Sequence, residues 1–264
     1  MLRALSLTQR LTIFFTVLAA AVDKDGMDAN ALSGYVKNDL APALESLEGV
    51  ASVTTTGQLE ESVDVTLDQD KIDALNKKIQ KKIDELTDAI KREPKNETLY
   101  GARGQCYVKV GEFDKAISDL TVAVTANQNH QGYLAVRGDA YAKSKRYKEA
   151  FEDYGRALKV GPSSHYLLLH QASCAVLLND YKAAEAPGKA ALELKPNDVP
   201  TLTLLGSVER ETGHLQKSLE FFNQAISISP NDANLLRLRA ETFRLLGRKD
   251  LAEKDFNLLK KLDN

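Results

Sequence analysis

The side chains best suited to chemistry are few in this sequence and poorly spaced for it. Its two cysteines, Cys106 and Cys174, provide neither a disulfide framework nor the paired spacing of a zinc site. The closest histidines, His165 and His170, are five residues apart, which turns a helix by about 140° and splays the two rings. The sequence contains no nucleophile elbow, phosphate-binding glycine loop or zinc signature. We therefore expect no enzyme activity, no metal site and no cofactor.

The composition is that of a folded protein with nearly balanced charge. Charged residues make up 27% of the 264 residues and apolar residues 43%, which is ordinary for a globular chain. The 35 Lys and Arg residues against 37 Asp and Glu residues leave a net charge of -2. Such a balance produces no long-range field that would gather nucleic acid. We expect no nucleic-acid partner.

The sequence repeats with a period of 34 residues through the last two-thirds of the chain. Shifting the sequence by that length superposes a small residue in five copies: Ala116, Ala150, Ala184, Ser218 and Ala252. The period defines five repeats: residues 97–130, 131–164, 165–198, 199–232 and 233–264. Small residues at positions 8, 20 and 27 of the repeats and bulky ones at positions 4, 11 and 24 suit one helix packed against another. Position 15 carries residues that commonly end a helix, with Lys145 as the one poor fit: Gly111, Lys145, Asn179, Gly213 and Gly247.

Each repeat therefore predicts a helix, a turn and a second helix, and Pro162, Pro196 and Pro230 close three of the repeats. The pattern resembles the tetratricopeptide repeat family over about residues 85–264. This resemblance implies a mainly all-α fold, a right-handed superhelix of five helix-turn-helix repeats. Residues 70–96 are expected to form a helix that caps the first repeat.

Positions 7 and 23 of the repeats change together. An arginine at position 7 and an aspartate at position 23 occur in repeats one, two and five: Arg103 with Asp119, Arg137 with Asp153, and Arg239 with Asp255. Repeats three and four replace both members. We interpret each combination as a structural ion pair that joins the two helices of one repeat and fixes their register.

Repeat three departs from the pattern in its second helix. Pro187 stands at position 23, where it lacks an amide, and Gly188 replaces the bulky residue at position 24. Ala175 is also small at position 11. We expect a bend or shallow pocket there, bordered by Leu177 and Tyr181, that acts as a hinge.

The sequence before the repeats has a different character. Residues 1–22 contain an apolar run from Leu11 to Val22, which fits a secretory signal, a short anchor or a buried strand. An exported or membrane-anchored location is favoured over a cytoplasmic one, and any membrane association is expected through this N-terminal part only. Residues 23–69 contain apolar residues at helical spacing and then two alternating runs around Gly57, which predict a helix and a β-hairpin.

The run LSGYVKNDLAPALESLEG, followed by VASVTTTGQLEESVDVTLD, carries a second resemblance. Residues 29–76 resemble part of the porter domain of resistance-nodulation-division efflux transporters. That resemblance implies a small, incomplete, ferredoxin-like α+β segment. The membrane helices and proton-relay carboxylates of those transporters have no counterpart in the sequence.

In the tetratricopeptide family, the first helices of the repeats line a concave groove that binds peptide segments of other proteins. The groove positions map onto Gln105, Lys109, Asp139, Lys143, Tyr166, Leu169, His170, Ser173, Arg210, Asn234, Arg237, Glu241 and Arg244. The groove is expected to be apolar around repeat three and basic toward repeat five, which suits a peptide with an apolar centre and an acidic end. The expected function is a protein-interaction scaffold. The alternative is an accessory or fragment of a resistance-nodulation-division efflux assembly.

Overall fold

The computed structural model describes residues 50–56, 62–67 and 69–262, with side chains described from residue 70 onward. The predicted apolar segment 1–22 and the helix predicted ahead of the hairpin lie outside these residues. The chain divides into two units between Lys78 and Ile79.

Two strands lie on either side of Gly57. Strand β1 (Val50–Thr56) pairs antiparallel with β2 (Ser62–Leu67), and Thr56 stands opposite Ser62. Valine and threonine dominate both strands, and β-branched residues favour an extended backbone. The other parts of the predicted ferredoxin-like segment lie outside the described residues, so that fold remains a prediction.

Eleven helices follow in the described part of the chain, beginning with α1 (Gln69–Arg92). The other ten form five pairs, one for each predicted repeat. The pairs are α2 (Glu97–Lys109) with α3 (Phe113–Ala126), α4 (Gln131–Lys143) with α5 (Tyr147–Val160), α6 (His165–Leu177) with α7 (Tyr181–Leu194), α8 (Val199–Glu211) with α9 (Leu215–Ile228), and α10 (Ala233–Leu245) with α11 (Lys249–Leu262). In α1, Ile83, Leu86 and Ile90 are buried, which suits the predicted cap. The predicted all-α helical repeat is confirmed.

The turn inside each pair places one residue in the left-handed conformation. Three of the five are glycines, and the other two are Lys145 and Asn179, with φ of 61° and 58°. A side chain other than glycine costs about 1–2 kcal/mol in this conformation. Lys145 adopts it although its type suits the turn poorly, so the packing of α4 against α5 determines the backbone there.

Small and bulky residues alternate in the core as the period predicts. Tyr154 and Phe222 at position 24 are almost fully buried, with 1% and 0% of their surface accessible. Glycine at position 8 makes room for both rings: a Cβ added to Gly206 would lie 2.5 Å from Phe222 Cε1, and one added to Gly138 would lie 2.9 Å from Tyr154 Cε1. The close approach of the helices therefore depends on these small residues.

Repeat three keeps a continuous second helix despite its proline. Helix α7 includes Pro187 in its interior, and Gly188 is buried. The gap expected at Gly188 is filled from the next repeat, because a Cβ added there would lie 2.9 Å from Leu205 Cδ2. Leu205 stands at position 7, where three other repeats have arginine. The Leu205 side chain thus fills the space that a bulky residue at position 24 would occupy. The hinge remains a prediction.

Candidate functional site

The first helices of the repeats, α2, α4, α6, α8 and α10, form a surface that we call the inner face. Successive first helices contact each other at α2–α4, α6–α8 and α8–α10, and a hydrogen bond joins α4 to α6. Seven predicted groove residues on these helices are exposed: Gln105, Lys109, Lys143, Tyr166, Asn234, Arg237 and Arg244. The remaining six are partly buried: Asp139, Leu169, His170, Ser173, Arg210 and Glu241.

One carboxylate organises the inner face where repeats two and three meet. Asp139 Oδ1 accepts a hydrogen bond from the Tyr154 hydroxyl at 2.7 Å and another from the Tyr166 hydroxyl at 2.5 Å. The His170 ring lies against Tyr166, with 4.2 Å between ring centroids and a tilt of 52°. We call Asp139, Tyr154, Tyr166 and His170 the Asp139 cluster. An apolar centre was expected here, and the structure places a polar, aromatic one.

Tyr154 is the member of this cluster that sequence reasoning missed. It belongs to the second helix of its repeat, and its position 24 was assigned to the core. Its ring does fill the core, while its hydroxyl reaches Asp139 on the neighbouring first helix. The sequence contains one sign of this contact, which is the hydroxyl of Tyr154 itself. In the other four repeats, position 24 carries a residue whose side chain cannot donate a hydrogen bond: Leu120, Gly188, Phe222 and Phe256.

Burial favours the uncharged forms of the two tyrosines and the histidine in the Asp139 cluster. It raises the pKa of Tyr154 and of Tyr166, and the nearby Asp139 carboxylate raises both further. Burial lowers the pKa of His170, opposed by Asp139 and assisted by Lys143 and His165. The tyrosines therefore keep their protons, and His170 is neutral at pH 7.

A second charged group lies at the other end of the inner face. Arg210 Nη1 contacts Glu241 Oε2 at 3.0 Å, and Arg210 Nη2 contacts Glu211 Oε1 at 3.0 Å. The charge of Arg210 is therefore compensated. Arg237 and Arg244 are exposed on α10 and form no ion pair with another described residue, so they supply the basic character expected near repeat five.

The Arg and Asp residues at positions 7 and 23 lie in contact within each of the three repeats. Every pair is bidentate, with N–O distances between 2.6 and 2.9 Å, and the three aspartates are buried. The arginine Nη1 also donates to a residue 16 positions earlier: Arg103 to Thr87, Arg137 to Thr121, and Arg239 to Asn223. We call each three-residue set an arginine bridge. It ties both helices of one repeat to the helix before them.

The third residue of each arginine bridge was not predicted, although the 34-residue period places it at a fixed position in the sequence. Thr87, Thr121 and Asn223 precede the repeats that have the arginine, whereas Gly155 and Lys189 precede the two that do not. Where repeats two and three meet, Gln171 replaces the arginine and its Nε2 donates to the Phe151 carbonyl at 3.4 Å. A surface pocket of about 570 Å³ opens there, lined by Phe151, Glu152, Gly155, Arg156, Leu158, Lys159 and Gln171.

Cys106 and Cys174 are both free thiols. Burial, and then the Asp139 charge, raises the pKa of Cys174 to about 11.

Within the residues that the structure describes, no three His, Cys, Asp or Glu side chains are close enough together to hold a metal ion. Among the described helices, none combines the length and the apolar character needed to cross a membrane.

Comparison with known proteins agrees with this geometry. Tetratricopeptide repeat family models match residues 102–158, 135–199 and 199–232. Residues 102–232 are tetratricopeptide repeats. The tetratricopeptide solenoid is similar to that of YrrB, described as a repeat protein with an unusual peptide-binding site, at a TM-score of 0.61 and 20% identity over 67% of this chain and 91% of YrrB.

Two structures of MamA are also similar to the tetratricopeptide solenoid. One crystal structure has a TM-score of 0.60 at 22% identity, covering 63% of this chain and 91% of MamA. The other is MamA from Desulfovibrio magneticus RS-1, residue 41 to the end, with a TM-score of 0.61 at 20% identity over 63% of this chain and 94% of that one. At such identities the likeness shows the fold. No curated protein sequence matches this chain.

Proposed function

We propose that this chain is a protein-interaction scaffold that binds a peptide segment of a partner protein across its inner face. The Asp139 cluster is the observation that carries this proposal. Tyr166 has 45% of its surface accessible, yet its hydroxyl is held by Asp139 of the neighbouring first helix. An exposed ring that is already ordered loses little conformational entropy on binding. The description of YrrB as a peptide-binding repeat protein supports this use of the fold.

Apolar and basic side chains extend the proposed site on either side of the cluster. Leu177 and Leu245 stand at position 13 of repeats three and five, with 55% and 63% of their surface accessible. Arg237 and Arg244 add positive charge at the repeat-five end. We therefore expect an extended or helical peptide with its acidic end toward α10, bound without any chemical conversion.

Selection of binders from a random peptide library tests the proposal on the full chain. The affinity of the selected peptides is then measured by calorimetry. We expect Tyr166→Ala to weaken binding about tenfold or more, since exposed aromatic anchors dominate such interfaces. Val122→Ala, at an exposed apolar residue on the second helix α3, is the matched control and should leave the affinity unchanged. Failure to select any peptide, or equal losses in both variants, would refute the proposal.

The second candidate is an accessory role in an efflux assembly. The hairpin β1–β2 is the part of the N-terminal resemblance that the described residues include. Under this alternative, the partner binds the hairpin and does not bind the repeats. Partner capture by the full chain should then survive Tyr166→Ala combined with Arg237→Ala, and should be lost when Val53 and Val65, paired across the hairpin, are both replaced by proline.

A further inference from the structure

We propose that the Asp139 cluster is a receptor for a basic side chain, a lysine or arginine of the bound peptide. This inference rests on the proposed function and names the chemistry of its central contact. It starts from the hydrogen-bond donors and acceptors that surround Asp139.

The hydroxyl protons around Asp139 are already used. The Tyr154 and Tyr166 hydroxyls both donate to Asp139 Oδ1. What these groups can still offer to a ligand is acceptor lone pairs. Asp139 Oδ2 accepts no hydrogen bond from another described residue, so a carboxylate oxygen remains for a ligand donor. Ammonium and guanidinium groups carry donors only, and they complement such a site.

The aromatic rings favour the same ligand. Tyr166 is half exposed and lies against His170 at a tilt. A cation close to an aromatic face gains about 0.5–2 kcal/mol from the ring quadrupole. A carboxylate beside aromatic faces therefore selects a cation over a neutral side chain of similar size.

Two other titratable residues act on His170 in the cluster, Lys143 and His165. Lys143 lies one helical turn beyond Asp139 on α4, is exposed, and forms no ion pair with a described residue. It opposes a cationic ligand but is free to turn toward solvent. His165 lies within 3.2 Å of Asp198 Oδ2 and 3.1 Å of Thr201 Oγ1, which engage its ring. Removing the charge of Lys143 should therefore strengthen the preference for a basic residue.

The experiment repeats the peptide selection on the full chain and on Asp139→Asn, whose amide oxygen still accepts from both tyrosines. We expect lysine or arginine to be enriched at one position with the native chain and not with Asp139→Asn. For one selected peptide and its Lys→Gln or Arg→Gln version, Asp139→Asn should weaken the basic peptide about tenfold and the glutamine version less than twofold. Lys143→Met should strengthen binding of the basic peptide a few-fold.

Glu185→Gln is the matched control, because Glu185 is a carboxylate on the second helix α7, outside the inner face, and is already paired with Lys189. It should leave the enrichment unchanged. Peptides that bind without a basic residue, or an enrichment that persists in Asp139→Asn, would overturn the inference while leaving the proposed function intact. Failure to select any peptide would overturn both.

Discussion

Arg137 and Asp153 form a bidentate ion pair between the two helices of repeat two. The guanidinium donates from Nε to Oδ2 at 2.6 Å and from Nη2 to Oδ1 at 2.8 Å, and both residues are buried. Nη1 also donates to Thr121 Oγ1 at 3.2 Å, in the repeat before. One side chain therefore links three consecutive helices.

Removing Asp153 should be strongly destabilising. Asp153→Ala leaves the Arg137 charge buried without its partner, and we expect the free energy of unfolding to fall by about 3 kcal/mol. Urea unfolding followed by circular dichroism measures this change. Glu149→Ala is the control, since it breaks an exposed pair with Arg146 and should cost at most about 0.5 kcal/mol. Equal costs in both variants would mean that the buried pair has no special role.

Replacing Ser218 should stabilise the protein. Its hydroxyl oxygen is buried and is the one such side-chain atom, among those described, that lacks a hydrogen-bond partner. Four other repeats have alanine at this position, and we expect Ser218→Ala to raise the free energy of unfolding by about 1 kcal/mol. Ser227→Ala on the same helix is the control, because Ser227 is exposed. A neutral or destabilising Ser218→Ala would show that the hydroxyl is satisfied in solution.

The second helix of repeat three should open more readily than its counterparts. Pro187 supplies no amide to α7, and α7 contributes no residue to an arginine bridge, whereas α5 contributes Asp153 and α9 contributes Asn223. We expect amides in residues 184–192 to exchange about tenfold faster than those in residues 150–158 and 218–226. Hydrogen exchange read by mass spectrometry resolves these segments. Equal protection would show that the contact of Leu205 with Gly188 restores full stability and that there is no hinge.

Stability should fall at acidic pH partly through His170. Its pKa is lowered in the folded state, so the unfolded chain binds the proton more readily. Above the unfolded-state pKa of about 6.5, His170 is neutral in both states and costs no stability. As the pH falls from there toward the lower folded-state pKa, protonation favours the unfolded chain and the free energy of unfolding decreases. Thermal unfolding at neutral pH and at pH about 5 should show a smaller acid-induced loss in His170→Gln than in the native chain. An unchanged loss would place the sensitivity elsewhere.

Much of the site could be located from the sequence, but its chemistry could not. The period assigned Asp139, Tyr166 and His170 to the first helices, and they lie there. The period did not predict that the Tyr154 hydroxyl, on a ring buried in the core, donates to Asp139. It also did not predict that Glu241 forms an ion pair with Arg210. Both contacts join residues on different helices, and their formation depends on side-chain directions that linear spacing does not contain.

The sequence by itself determined the number of repeats, the helix pair in each and the position of every turn between the paired helices. It could do so because a repeat contacts only its neighbours, so the same local pattern recurs along the chain. The tertiary structure decided which side chains meet between repeats. Thr121 completes the Arg137 bridge and Leu205 fills the space beside Gly188 because close packing brings side chains from successive repeats into the same small volumes.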